Sequence, residues 1–211
     1  MIEDLNLFAS QMITLWVVLE PFSHLSMFLS ATGHLDAGQR RRAAALSLAF
    51  AFLILLVFTL LGRMLLQAMG ISILAFQISG GMILFLFAMT LIFVDRPHRP
   101  VHVNPERGVL TLAVYPLATP ILAGPGAILA MVLFSDNNRG APLSHHVVTL
   151  VVLALMMAVL FVVFLLGDYI VKVIGESGTS LLRRVMGILL AALSVNLILN
   201  AFQLWLGLPA I

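Results

Sequence analysis

Glu20 and His24 stand four residues apart in a long apolar stretch, a spacing that places both side chains on one helix face if the helix runs on past Pro21. A carboxylate near the middle of a bilayer costs about 2.5–3.5 kcal/mol on insertion scales and is rarely kept without a role. Two roles fit Glu20: binding a cationic group or coupling ion, or taking up a proton. The structural alternative is a neutral, hydrogen-bonded acid that locks helix packing. His24 taken alone reads as a satisfied interior histidine. Asn196 and Asn200, also four apart, put two amides on one intramembrane face, where interhelical hydrogen bonding is the default and a share in a solute site the alternative. Gln77, Ser79, Gly80 and Gly81 read as a close-packing face.

The third group is backbone chemistry. Glu20-Pro21-Phe22-Ser23-His24 and Thr119-Pro120-Ile121-Leu122-Ala123-Gly124-Pro125-Gly126 each interrupt an apolar run with proline, which removes a donor and clashes with the carbonyl one turn back. Pro116 adds to the second cluster. Freed N–H and C=O groups cost several kcal/mol each in hydrocarbon, so broken backbone persists only against protein or a water-lined cavity. The alternative is that such prolines only kink packed helices. Glu20, Pro21, Ser23, His24, Thr119, Pro120, Gly124, Pro125, Gly126, Asn196 and Asn200 are therefore the candidate substrate-binding residues.

Other chemistries find no support. Gly124-Pro125-Gly126 has Leu129 where a dinucleotide loop needs its third glycine, and no strand precedes it. His98 with His102, and His145 with His146, lack the further ligands of a zinc site. Asp95, Asp136 and Asp168 sit at the ends of apolar stretches, where a carboxylate reaches water. No nucleophile, histidine and carboxylate set stands out, so neither an enzyme nor a cofactor nor a bound metal is expected.

The elements that must position these residues follow from composition. With 62% hydrophobic and 9% charged residues there is too little polar surface to cover a water-soluble globule, so the solvent is lipid. The net charge of +2 comes from residues in short loops rather than one basic face, so no nucleic-acid partner is expected. There is no cysteine, which removes disulfides and thiolate sites. Met1 to Ser10 carries Glu3 and Asp4 but no basic leader, and is read as part of the first helix. A ruler of about 20 apolar residues per crossing divides the chain into six spans, Ala9 to Ala31, Ala43 to Leu61, Ile71 to Val94, Val109 to Phe134, Val147 to Leu166 and Val185 to Leu206.

Basic residues orient them. Arg40, Arg41, Arg42, Arg96, Arg99, Arg107, Lys172, Arg183 and Arg184 fall on one side, and Arg63 and Arg139 on the other. Retention of positive flanks in the cytoplasm then puts both termini outside. The prolines of spans 1 and 4 align as Pro21 with Pro120, and Ile78 to Leu84 of span 3 aligns with Arg184 to Leu190 of span 6. Three spans per repeat is odd, so the halves, about 9–94 and 109–206, are inverted. The expected fold is a single all-α membrane domain over 1–211: six transmembrane helices as two inverted three-helix repeats, with discontinuous helices 1 and 4.

Several separated motifs together resemble the MarC family of bacterial inner-membrane proteins. They are Glu20-Pro21, Gly70-Ile71-Ser72-Ile73 leading to Ile78-Ser79-Gly80-Gly81, Ala123-Gly124-Pro125-Gly126-Ala127-Ile128, and Arg184-Val185-Met186-Gly187. The resemblance covers essentially the whole chain. It implies a six-span inner-membrane protein. Some relatives are classed as transporters of small neutral amino acids, and the fold looks related to that of LysE-type exporters. The chain departs from the family at the first break, commonly Asp-Pro-x-Gly-Asn-x-Pro, where it has Glu20, Pro21, Ser23, His24 and Ser26, and Asn200-Ala201 stands for the family's Asn-Gly.

The expected function is secondary transport of small solutes, a small neutral amino acid among them, with half-helix N-termini favouring a carboxylate and Glu20 binding an ammonium or carrying a coupling proton. The expected partners are the lipid bilayer, a small-molecule solute with a coupling ion, and a second copy of the chain in a homo-oligomer. The competing reading is a structural or regulatory membrane protein whose prolines only shape packing.

Overall fold

The computed structural model describes residues 2–93 and 108–209, and every regular element among them is helical. In chain order these are α1 (Ile2–Leu19), α2 (Pro21–Thr32), α3 (Ala37–Ala68), α4 (Ile73–Phe93), α5 (Val109–Leu112), a wide-turn segment (Ala113–Leu122), α6 (Pro125–Asn137), α7 (Leu143–Leu165) and α8 (Gly167–Leu206). The expectations on Asp95, Arg96, His98, Arg99, His102 and Arg107 lie outside the described residues.

α3 shows how sequence sets a span. Asp36 Oδ1 accepts the backbone N–H of Gln39 at 2.8 Å and the Asp36 N–H donates back to Gln39 Oε1 at 3.3 Å, a reciprocal cap that fixes the helix start. From Ala43 to Gly62 no charged residue interrupts it, a stretch that at about 1.5 Å per residue matches the hydrocarbon thickness of about 30 Å. Charges bracket this stretch. Arg40 pairs with Asp168 at the start of α8 at 2.5 Å, and Arg63 pairs with Asp136 near the end of α6. Between the brackets, outward side chains such as Leu53, Leu60, Leu86 and Ile188 are apolar and exposed, as a lipid-facing surface requires.

Among the described residues, four helices are long and apolar enough to cross a membrane: Ala37–Ala68, Ile73–Phe93, Leu143–Leu165 and Ser177–Leu206. Two bent pairs raise the count to six if each pair is one span: Glu3–Leu19 with Pro21–Thr32, bent by 41°, and Val109–Leu122 with Pro125–Asn137, bent by 63°. One expectation is corrected. The stretch holding Lys172, Arg183 and Arg184, read as a loop, belongs to α8, which breaks at Gly175 (φ 71°) and resumes. Glycine alone adopts this positive φ without a Cβ clash, so a turn that looks like a loop in sequence costs the helix little.

Packing between the halves is reciprocal. α3 packs on the wide-turn segment and α6, while α7 packs on α1 and α2; α4 packs on α6, while α8 packs on α2. At the centre α4 and α8 run against each other through small residues. A Cβ built on Gly81 would lie 2.7 Å from Ile198 Cγ1 and 3.2 Å from Ser194 O; one built on Gly187 would lie 2.9 Å from Leu91 Cβ and 3.2 Å from Ala88 O. The sequence reading of Gly80 and Gly81 as a packing face holds. Within the core, Phe28 of α2 stacks on Phe164 of α7 at 4.4 Å. A buried chain of hydrogen bonds then ties three helices: Asn138 Nδ2 donates to Thr149 Oγ1 at 2.8 Å, and Thr149 Oγ1 donates to Gln11 Oε1 at 2.9 Å.

Overpacking a filled contact costs typically about 1–3 kcal/mol, so Gly81→Leu and Gly187→Leu are each expected to lower the thermal midpoint of the detergent-solubilised protein. Gly108→Ala, whose Cβ meets nothing within 4 Å, is expected to leave it unchanged. Equal midpoints for all three would show that α4 and α8 do not meet this closely.

Candidate functional site

Pro21 ends α1 because it has no N–H to offer the carbonyl of Val17, and it starts α2 because its fixed φ suits the first helical position. Glu20 carries the chain between them. Its N–H still donates to Trp16 O at 3.1 Å, closing α1, and its C=O accepts from Ser23 and His24 N–H, each at 3.1 Å, opening α2. To serve both helices it adopts the left-handed conformation (φ 40°, ψ 71°), costly for a residue with a Cβ. The side chain is 1% exposed. Oε2 accepts from Ser23 Oγ at 3.0 Å, whereas Oε1 is buried with no hydrogen-bond partner among the described residues. The charge of Arg183 on α8 acts on this carboxyl.

The second break is longer because two prolines act in succession. The residue before proline is pushed out of the helical region, and both Tyr115 (φ −136°, ψ 122°) and Thr119 (φ −129°, ψ 130°) are extended. The chain recovers with wide turns, such as Ala123 N–H to Ala118 O at 2.8 Å. Thr119 Oγ1 donates to Val114 O at 3.2 Å, so this candidate repairs the backbone. α6 then starts with Gly124 as N-cap and Pro125 at the first position. Its first internal bond is Ile128 N–H to Gly124 O at 3.0 Å. The N–H groups of Gly126 and Ala127 are left for partners outside the helix.

Pro21 and Pro125 each begin a helix after a break, and Pro120 lies inside the wide-turn segment.

Between the two breaks lies a cavity of about 340 Å³. His24 and Met27 line it from α2, Val18 and Leu19 from the end of α1, Leu84 and Phe87 from α4, and Pro120 to Leu122 with Gly124 to Ala127 from the second break. Of the sequence candidates, His24, Pro120, Gly124, Pro125 and Gly126 come together here; Glu20, Pro21, Ser23 and Thr119 support the breaks without lining the cavity. Asn196 and Asn200 line a different cavity, of about 470 Å³. The sequence reading missed Leu84 and Phe87, which carry no polar signal. Leu84 is nonetheless central: a Cβ on Gly126 would lie 2.3 Å from its Cδ2. A mostly apolar pocket near the small end of the usual range of about 300–1,000 Å³, with few convergent polar groups, has the character of a small-ligand site.

The family model described as MarC family integral membrane protein matches residues 5–206. Among similar proteins, the UPF0056 inner membrane protein YhgN of Escherichia coli strain K12 is 28% identical over 206 residues, covering 96% of this chain and 99% of its own. A UPF0056 membrane protein of Aquifex aeolicus is 30% identical over 200 residues, covering 93% and 92%. One of Methanocaldococcus jannaschii is 29% identical over 204 residues, covering 95% and 98%. No solved structure matches.

The left-handed backbone at position 20 generates a stability order. Glu20→Gly and Glu20→Ala both delete the carboxyl, but glycine escapes the left-handed penalty of about 1–2 kcal/mol. Unfolding in detergent is expected to place Glu20→Gly above Glu20→Ala by about 1 kcal/mol; the reverse order would contradict the observed φ.

Proposed function

The chain belongs to the MarC family of integral membrane proteins, and we propose that it is a secondary transporter of small solutes, a small neutral amino acid being the substrate class that its cavity fits. The observation that carries the reading is the cavity of about 340 Å³ between two proline-started helices, α2 and α6. Each bent pair is read as one discontinuous span, giving six, and the halves as inverted repeats. Support comes from the reciprocal packing of α3 and α7 and from the matching starts at Pro21 and Pro125. In such an architecture the site between half-helices faces either side by rocking of one repeat against the other.

The chemistry of recognition follows from the two helix starts. Gly126 and Ala127, in the first turn of α6, line the cavity, and the positive end of that helix suits the solute's carboxylate. His24, 6% exposed, offers the one imidazole among the lining residues. Glu20 does not reach the cavity; it is read as the seat of a coupling proton or cation, with Oε1 as the binding atom.

Location in the bacterial inner membrane is supported by the name of the Escherichia coli relative. Both termini are read as outside. Arg40, Arg41, Arg42, Lys172, Arg183 and Arg184 are read as one basic side, where Arg40 pairs with Asp168, and Arg63 and Arg139 as the other, where Arg63 pairs with Asp136.

Counterflow in proteoliposomes tests the reading. Preloaded glycine, alanine or serine is expected to drive uptake of the same labelled amino acid. Gly126→Val, which fills the α6 end of the cavity, and Glu20→Gln are expected to reduce the rate by about tenfold or more, equivalent to about 1.4 kcal/mol at the barrier. Absence of counterflow for every small neutral amino acid, at any imposed pH gradient, would overturn it.

A further inference from the structure

The second cavity, of about 470 Å³, has a different character from the first. α1 lines it with Ser10 and Thr14 and α8 with Asn196 and Asn200, in both cases pairs one helix turn apart; Gln77 of α4 and Asn137 of α6 close the sides. Gln203, near the end of α8, also lies on its wall. Gln203 and Leu204 lie at the C-terminal end of α8 and Ser10 halfway along α1, so the groove runs from the middle of α1 to the face that carries the C-terminal end of α8.

The side chains of Ser10, Asn137, Asn196 and Asn200 are exposed rather than bonded across to neighbouring helices. Gln77 Nε2 donates to Leu197 O at 2.8 Å, which leaves its carbonyl oxygen as an acceptor. Hydroxyl and amide groups left bare to hydrocarbon would each cost several kcal/mol. Their convergence on one groove therefore calls for water or a hydrogen-bonding solute.

Two residues line both cavities: Val18 and Leu84. They are 6% and 3% exposed. Ser10, Thr14 and Val18 follow one another at one-turn spacing down α1, so the groove descends about 12 Å, at about 1.5 Å per residue, before it meets this apolar wall. The wall is seated on the first turn of α6, since Gly126 leaves room for Leu84 where a Cβ would come within 2.3 Å.

We propose that this groove is a water-filled vestibule that collects net-neutral, hydrogen-bonding solutes from the face bearing the C-terminal end of α8, and that Val18 and Leu84 form the septum between it and the cavity at the helix breaks. The proposal rests on the transporter reading for the septum's role in passage; the hydrated vestibule stands independently of it. The neutral preference follows from the lining. Among the residues that line the groove there are hydroxyls and amides but no charged side chain. A net-neutral solute exchanges water for these groups at little cost, whereas an ion gives up hydration with no countercharge to replace it.

The natural absence of cysteine allows a direct test in the full-length protein. Single cysteines at Thr14 and Asn200 are expected to react with a charged, membrane-impermeant maleimide, and one at lipid-facing Leu53 to react far more slowly, since the reactive thiolate needs water. Serine is expected to slow the reaction at Asn200→Cys, and glutamate and lysine to leave it unchanged. Adding Leu84→Ala is expected to accelerate labelling of a cysteine at Met27, in the inner cavity, with Val18→Ala as the second variant.

No reaction at either position 14 or 200 would overturn the vestibule. So would efficient disulfide formation between two Asn200→Cys copies, which would make the amides a dimer face. Protection by the charged solutes alone would overturn the neutral preference. Unchanged labelling at Met27→Cys in both septum variants would overturn the septum. Labelling and serine protection without counterflow would support the vestibule and remove the transporter reading.

Discussion

A backbone hydrogen-bonding group freed inside hydrocarbon has no water to turn to, and this constraint governs the regions around Pro21 and Pro120. Each proline deletes a donor, and the chain answers locally. Glu20 twists into a left-handed conformation so that its N–H closes one helix and its C=O opens the next. Thr119 bends its hydroxyl back to Val114 O, and Ala123 reaches five residues back to Ala118 O. What these repairs leave over are the amides at the start of α6, whose residues Gly126 and Ala127 line the cavity.

The same constraint explains the division of labour among the polar residues. Those that hold the bundle together are bonded and buried, as Gln11, Asn138 and Thr149 are in their three-helix chain. Others, Asn196 and Asn200 among them, stay exposed and gather on one groove. Small residues serve a third purpose. Gly81 and Gly187 let α4 and α8 approach, and Gly126 lets Leu84 sit on the start of α6, linking the packing of the bundle to the shape of the cavity.

Much of this was legible in the chain. Ala43 to Gly62 without a charge announces a crossing, and Pro120 through Gly126 announces a break, because hydropathy and a missing N–H are properties of the residues themselves. Other parts were not. The break at Gly175 leaves no mark, because a positive φ is invisible in sequence, and Lys172, Arg183 and Arg184 on either side of it are helical where their charge suggests a loop. Pro125, rather than Pro120, starts a helix as Pro21 does, a distinction that only the backbone conformation reveals.

The sequence by itself determined that the chain is helical, that lipid is its solvent, and where its backbone must break, since each follows from local composition and covalent chemistry. Tertiary structure decided which side chains share a space. It put His24 with Gly124 and Gly126, moved Asn196 and Asn200 into company with Ser10 and Thr14, and left Glu20 behind the cavity bonded to Ser23. It also placed Val18 and Leu84, two unremarked apolar residues, between the two cavities. Those outcomes depend on how far each helix is rotated about its axis and how closely its neighbours approach. Both are set by contacts between distant parts of the chain, which no local spacing records.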